Sequence, residues 1–163
     1  MTKYEIRDAY AAFLIKTLPI QNLVHLTHPG QSITQQEHDG CFSAFMKEVR
    51  RESKLTVAYI RGVEKTEIIH SHAAIIAAQP IDNESLQRAW QTVSRTGPTG
   101  CLATTFDASQ GGIGYILKDG EYEIAHNIQC FSSRTDPGTL SCRELRTYNR
   151  VQEQKRAERP QAA

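Results

Sequence analysis

Apolar and polar positions along this chain recur with two different periods, and the switches between them mark out ten elements. Ile6, Tyr10, Phe13, Leu14 and Leu18 fall near helical spacing behind Thr2, and Pro19 ends the segment, which predicts an amphipathic helix over 3–18. Asn22 to His28 alternates as a strand stopped by Pro29-Gly30, with His25 and Thr27 on one face and His28 on the other. Thr34 and Glu37 have capping-box spacing, and Cys41, Phe42, Phe45, Met46 and Val49 then make one stripe of a helix reaching about Ser53. Two strands follow, Leu55 to Glu64 and Ile68 to Ala77, joined by Lys65-Thr66-Glu67 as a β-hairpin.

Farther on, Asn83 can cap a helix carrying Leu86, Ala89, Trp90 and Val93, and Gly97-Pro98 ends it before a strand over 99–106. Asp107 or Ser109 opens a short, glycine-rich helical segment running through Lys118, and Asp119-Gly120 turns the chain into a final strand over 122–131. Ser141 and Glu144 have capping-box spacing for a last helix bearing Leu145, Tyr148 and Val151, after which a basic, polar tail reads as disordered over 157–163. The order predicts an α+β domain: an antiparallel sheet with helices on one face and the other face free to hold a ligand. Residues 1–19 form the leading helix, 20–132 the domain, and 133–163 the C-terminal helix and tail.

Composition narrows the function classes. A chain of 163 residues, 39% of them hydrophobic, builds one core of ordinary size. Its net charge of +1 excludes a histone-like protein held to duplex by bulk charge, so any nucleic-acid affinity must be local. Cys41, Cys101, Cys130 and Cys142 are scattered with no Cys-x-x-Cys pair, which suggests neither a zinc knuckle nor a disulfide framework and points to a reducing compartment. No apolar run approaches a membrane span, and Met1-Thr2-Lys3-Tyr4-Glu5 lacks the apolar core of a signal peptide; the expectation is a cytosolic protein with no membrane partner.

Candidate chemistry lies in two places. His70 and His72, one residue apart in an apolar strand, share a face and can converge on one ion, although a histidine pair in a buried strand is also what tolerated polar residues look like. Counting by twos puts Ala58, Ile60, Gly62 and Glu64 on one face of the preceding strand. If that is the face of the histidines, Glu64 stands beside them as a third ligand. Tyr115 and Lys118, three apart in the glycine-rich segment, project from one side of a helix, as a nucleophile and a neighbouring cation would. Two basic groups could contact phosphates: Lys47, Arg50, Arg51, Lys54 and Arg61, or the tail's Arg143, Arg146, Arg150, Lys155 and Arg156.

His70-Ser71-His72 and Tyr115-Ile116-Leu117-Lys118, with Glu64 before them and Val24-His25-Leu26-Thr27-His28 on an earlier strand, together resemble the HUH endonucleases. The branch most similar is that of the single-tyrosine rolling-circle replication initiators of plasmids, phages and single-stranded DNA viruses. Ser71 departs from that pattern, which usually carries a bulky apolar residue between the histidines. The resemblance covers about residues 20 to 132 and implies an RRM-like or ferredoxin-like five-stranded antiparallel sheet.

It also implies a mechanism. His70, His72 and Glu64 would hold Mg²⁺ or Mn²⁺, which polarises the scissile phosphate as a Lewis acid. Tyr115 would attack to give a 5′-phosphotyrosine and a free 3′-OH, Lys118 would steady phosphate charge or activate the phenol, and Asp119 would orient Lys118. His25 and Thr27 would contact DNA. The implied partner is single-stranded DNA at a replication origin, with a host or viral helicase and polymerase acting in trans, in the cytoplasm or in a host nucleus. A single-strand transposase or a mobilisation relaxase would share this site, although Lys118 leans toward replication. The alternative from another class is a catalytically silent RRM-like module binding single-stranded nucleic acid, which would show paired stacking aromatics that these strands lack.

Overall fold

The computed structural model of the chain describes residues 2–118 and 121–132. The expected last helix and tail, together with Asp119, Gly120 and Cys142, lie outside them. Helix α1 (Lys3–Thr17) leads into strand β1 (Ile20–Thr27), helix α2 (Gln35–Ser53), the hairpin of β2 (Val57–Lys65) and β3 (Ile69–Ala77), helix α3 (Asn83–Ser94), strand β4 (Cys101–Thr105), the short helix α4 (Gly112–Ile116), strand β5 (Tyr122–Ile124) and the short helix α5 (Gln129–Ser132). The strands form one antiparallel sheet in the order β4-β1-β3-β2-β5. Two βαβ-type passages with the hairpin between them produce the first four positions of that order, which is compatible with a ferredoxin-like fold, and β5 adds an edge beside β2.

Local signals set the ends of the helices. Thr2 with Glu5, and Thr34 with Glu37, close reciprocal capping boxes at the starts of α1 and α2. The cap of α3 is Asp82, one residue before the Asn83 expected from sequence. Its carboxylate accepts from the backbone N–H of Ser85 at 2.8 Å, while Asn83 Oδ1 instead accepts from Asn22.

The sheet is covered on both faces, not one. Val24, Leu26, Val57, Ala73, Ile75 and Ala103 meet Phe42, Phe45 and Met46 of α2 and Leu86 and Trp90 of α3 in the first core. A second core joins Ala58, Ile60, Ala74 and Ile76 to Leu14 of α1, Ile113 and Ile116 of α4, and Phe131. Ala73 to Ala77 are accordingly all buried: an unbroken apolar run is what a strand sandwiched between two layers requires. Ala11 and Leu14 supply the buried side of α1 and Leu18 follows at its cap, whereas Ile6 and Phe13, expected in its apolar stripe, stay exposed.

The last strand is shorter than the sequence predicts. It ends at Ile124, and the apolar residues Ala125, Cys130 and Phe131 enter the second core from a turn and α5 rather than by strand alternation. Cys41, Cys101 and Cys130 are free thiols. No helix among the described residues is long and apolar enough to cross a membrane.

Candidate metal and tyrosine site

The second layer of helices covers only half of its face. Beyond Ala58, Ile60, Ala74 and Ile76 the same face of β2 and β3 continues as Gly62, Glu64, His72 and His70, which project no apolar side chain. Register then aligns two ranks across the sheet. His25 on β1 stands opposite His72 on β3, which stands opposite Gly62 on β2; Thr27, His70 and Glu64 form the next rank. Alternation alone leaves open whether Glu64 shares the face of the histidines; the register puts it opposite His70.

His25, His70 and His72 each offer a ring nitrogen, all within 4.8 Å of one another, and this cluster could bind a metal ion. The donor set fits a cation. The Nε2 atoms of His25 and His72 are buried without a hydrogen-bond partner, a costly arrangement that a bound ion would relieve. His70 Nδ1 lies 2.9 Å from the carbonyl of Ile68, which can only accept, so the ring proton sits there and the Nε2 lone pair faces the cluster. Burial is the main force pushing the His25 and His72 imidazolium forms down, His72 to about 4, with the neighbouring histidines adding to it. Neutral imidazole is the form that ligates a metal.

The structure thus brings His25, read from sequence as a DNA contact, into the histidine cluster. Glu64 lies against it: Oε2 is 3.4 Å from His70 Nε2, Oε1 is 3.3 Å from His72 Nε2, and Oε1 also accepts from Lys118 Nζ at 2.8 Å. Burial alone would raise the Glu64 carboxyl, but the Lys118 ammonium and the Tyr115 phenol outweigh it and hold the group at about 2. The same carboxylate holds Lys118 firmly protonated.

Tyr115 and Lys118 arrive from above. Helix α4 spans little more than one turn, starting after Gly111 in the left-handed conformation (φ +67°), and Lys118 follows in a tight turn whose N–H donates to the carbonyl of Tyr115. Lys118 Nζ sits 4.0 Å from the centre of the Tyr115 ring, and that ring packs edge-on against His72 with centroids 4.7 Å apart. Tyr115 remains 46% exposed, so an incoming group can reach its phenol. Gly62 makes this approach possible: a Cβ there would meet the backbone carbonyl oxygen of Ile116 at 2.6 Å.

The expected basic contacts are not at this site. Arg61, between Ile60 and Gly62, points to the opposite face of the sheet, where it is 3% exposed, lies over the Phe42 ring and pairs with Asp39 at 2.7 Å and Glu123 at 3.5 Å. Arg50, Arg51 and Lys54 end α2 on that same opposite face. Arg50 Nε donates to the carbonyl of Val57, five residues before Gly62, the residue that faces His72, which puts the group about 17 Å or more along the strand from the histidines. Arg51 is occupied by Glu48. Strand parity, which sequence alone displays for β2, excludes Arg61; the position of α2 under the sheet, which it does not display, excludes the others. Thr27 does lie on the site face, across from His70.

A scan against protein-family models and a search of curated proteins both find no match to this chain.

Proposed function

We propose that the protein is a metal-dependent enzyme that nicks and rejoins single-stranded DNA through Tyr115, in the manner of the HUH replication initiators it resembles. The observation that carries this reading is the meeting of an accessible tyrosine and a lysine with a cluster of three histidines, two of which, His25 and His72, hold a buried ring nitrogen without a hydrogen-bond partner. A silent binding module has no use for that expensive arrangement.

His25, His70 and His72 are the residues to hold a divalent ion, Mg²⁺ or Mn²⁺, with Glu64 at its edge, and Lewis-acid polarisation of the scissile phosphate is what it supplies when bound. Three imidazoles favour Mn²⁺ over Mg²⁺ in intrinsic affinity. Tyr115 Oη gives up its proton to solvent and forms the new bond to phosphorus as the bond to the 3′ oxygen breaks, and the electron pair leaves on that oxygen, which takes a proton from solvent to become a free 3′-OH. The 5′ phosphate stays on the tyrosine. Lys118, anchored by Glu64 and kept cationic, stands where charge develops on the phosphate oxygens. Because the tyrosine ester conserves the energy of the broken phosphodiester, an incoming 3′-OH reverses the reaction and joins a strand at the same site. A flexible single strand suits this recess better than a regular duplex, which would hold its phosphates away from the sheet.

The test is incubation of the protein and of Tyr115→Phe with pooled single-stranded oligonucleotides and Mn²⁺, read on a denaturing gel. A covalent adduct with the wild type alone, lost on chelation, is the expected result. Intact DNA binding with no adduct across a broad pool would overturn the proposal in favour of a binding module.

A further inference from the structure

Next to the histidine cluster the sheet carries a recess of about 360 Å³, and the mechanism above does not use its β4 side. Its floor is made by the free face of the β4 edge and its neighbour: Leu102, opposite His25, and Thr104, opposite Leu23. Its wall is the start of α4 with Gln110 before it, and it shares His25, His72 and Tyr115 with the metal and tyrosine site. The volume lies within the usual range of small-ligand sites.

Two features separate this recess from an ordinary packing gap. Leu102 is 60% exposed on the same side of β4 as Thr104, so a large apolar side chain is presented to solvent beside three ligand-grade histidines. Gly112 lets the start of α4 come down onto Leu23, since a Cβ there would collide with Leu23 Cδ1, and this contact closes one end of the recess. Away from the metal and tyrosine site, the polar side chains lining the recess are Gln110 and Thr104. Gln110 has one amide hydrogen engaged by Asp107 Oδ2 at 3.3 Å, which steadies the side chain and leaves its carbonyl oxygen and second amide hydrogen for another partner. Thr104 adds a hydroxyl.

The geometry points to a nucleobase pocket: the base flanking the scissile phosphate lies flat on Leu102 and Leu23, and Gln110 reads its edge. This rests on the nicking reading above, because any group seated here is next to whatever Tyr115 attacks. Apolar side chains serve as stacking surfaces for an unpaired base, and the adjacent acceptor and donor of a glutamine amide match the paired donor and acceptor on a base edge. Gln110 is therefore a specificity-determining residue rather than a catalytic one.

The experiment uses the full chain with Mn²⁺ and a library of single-stranded DNA randomised throughout; covalently captured strands are sequenced, and one of them is remade with each of the four bases on either side of the break. The wild type is expected to prefer one base at one flanking position by about tenfold. Gln110→Ala reduces that ratio to about twofold, and Gln110→Glu, which can only accept, shifts it toward bases with an exocyclic amine. Leu102→Ala slows adduct formation for all four bases alike, and Arg51→Ala, on the far side of the sheet, keeps the wild-type ratio. Adducts whose base preference is the same in wild type, Gln110→Ala and Gln110→Glu would overturn the pocket while leaving the nicking reading in place. No adduct from the wild type with any strand would overturn both.

Discussion

Replacing Gly62 by alanine isolates the part of the site that tertiary packing alone supplies. The new Cβ would lie 2.6 Å from the carbonyl oxygen of Ile116, a backbone atom that cannot swing aside, and restoring 3.4 Å moves the end of α4 by about 0.8 Å. Gly62 itself is fixed, paired to His72 on one side and to Tyr122 on the other, so α4 is what yields. Overpacking of this kind costs about 1–3 kcal/mol, which for a chain of this size lowers the Tm by roughly 3–10 °C. The larger consequence falls on Tyr115, one residue before the displaced carbonyl. A misplacement of about 1 Å costs on the order of a hundredfold in rate where reacting atoms must be aligned, so adduct formation by Gly62→Ala is expected to fall by about that factor. The histidine cluster stands on β1 and β3 and does not move with α4, so Co²⁺ or Mn²⁺ affinity stays at the wild-type value and serves as the control for folding. A variant that loses metal binding together with adduct formation, or one that keeps the adduct rate within about twofold of wild type, would refute the claim that Gly62 exists to seat α4 against the sheet.

Three further outcomes follow from the same geometry. His25→Ala is expected to weaken Co²⁺ binding, followed by the d–d absorption of the bound ion, by a hundredfold or more, and Glu64→Gln by only about tenfold; equal losses would restore Glu64 as a full ligand. His38, wholly buried against Ser71 and His28, has its imidazolium pushed down to about 4 by burial first and then by Arg61 and His28, with Asp39 opposing. Because the folded-state value lies below the unfolded one near 6.5, the neutral ring's contribution is complete above that pH and lost as pH falls toward 4. Urea denaturation should show up to about 3 kcal/mol disappearing across that window in the wild type and distinctly less in His38→Phe, and parallel profiles would contradict it. Arg61→Ala should lower stability by about 2 kcal/mol, discounted because Asp39 is 42% exposed, and leave the salt dependence of oligonucleotide binding unchanged; a reduced salt slope would return Arg61 to the DNA-contact group.

Period and parity determined much of this protein in advance. The order of helices and strands, both capping boxes, the hairpin, and the separate pairings of Gly62 with Glu64 and of His70 with His72 on one face of their own strands are consequences of neighbours a few residues apart, and the hairpin register then puts the two pairs on the same face. The same alternation puts His25 and Thr27 on one face of β1. It does not say that β1 lies beside β3 in the register that sets His25 opposite His72, since that pairing joins residues 47 positions apart and is decided by how the two apolar faces pack. Nor could local pattern show that α1 and α4 would roof half of the second face, because Ala58, Ile60, Ala74 and Ile76 look alike whether covered by helices or by a ligand. The third histidine, the Lys118–Glu64 pair, the seat for α4 at Gly62 and the burial of Arg61 against Asp39 and Phe42, on the face that parity already assigns it, all come from long-range packing. The residue types were legible along the chain; their meeting was decided by the register of β1 on β3 and by the roof that leaves one end of the sheet open.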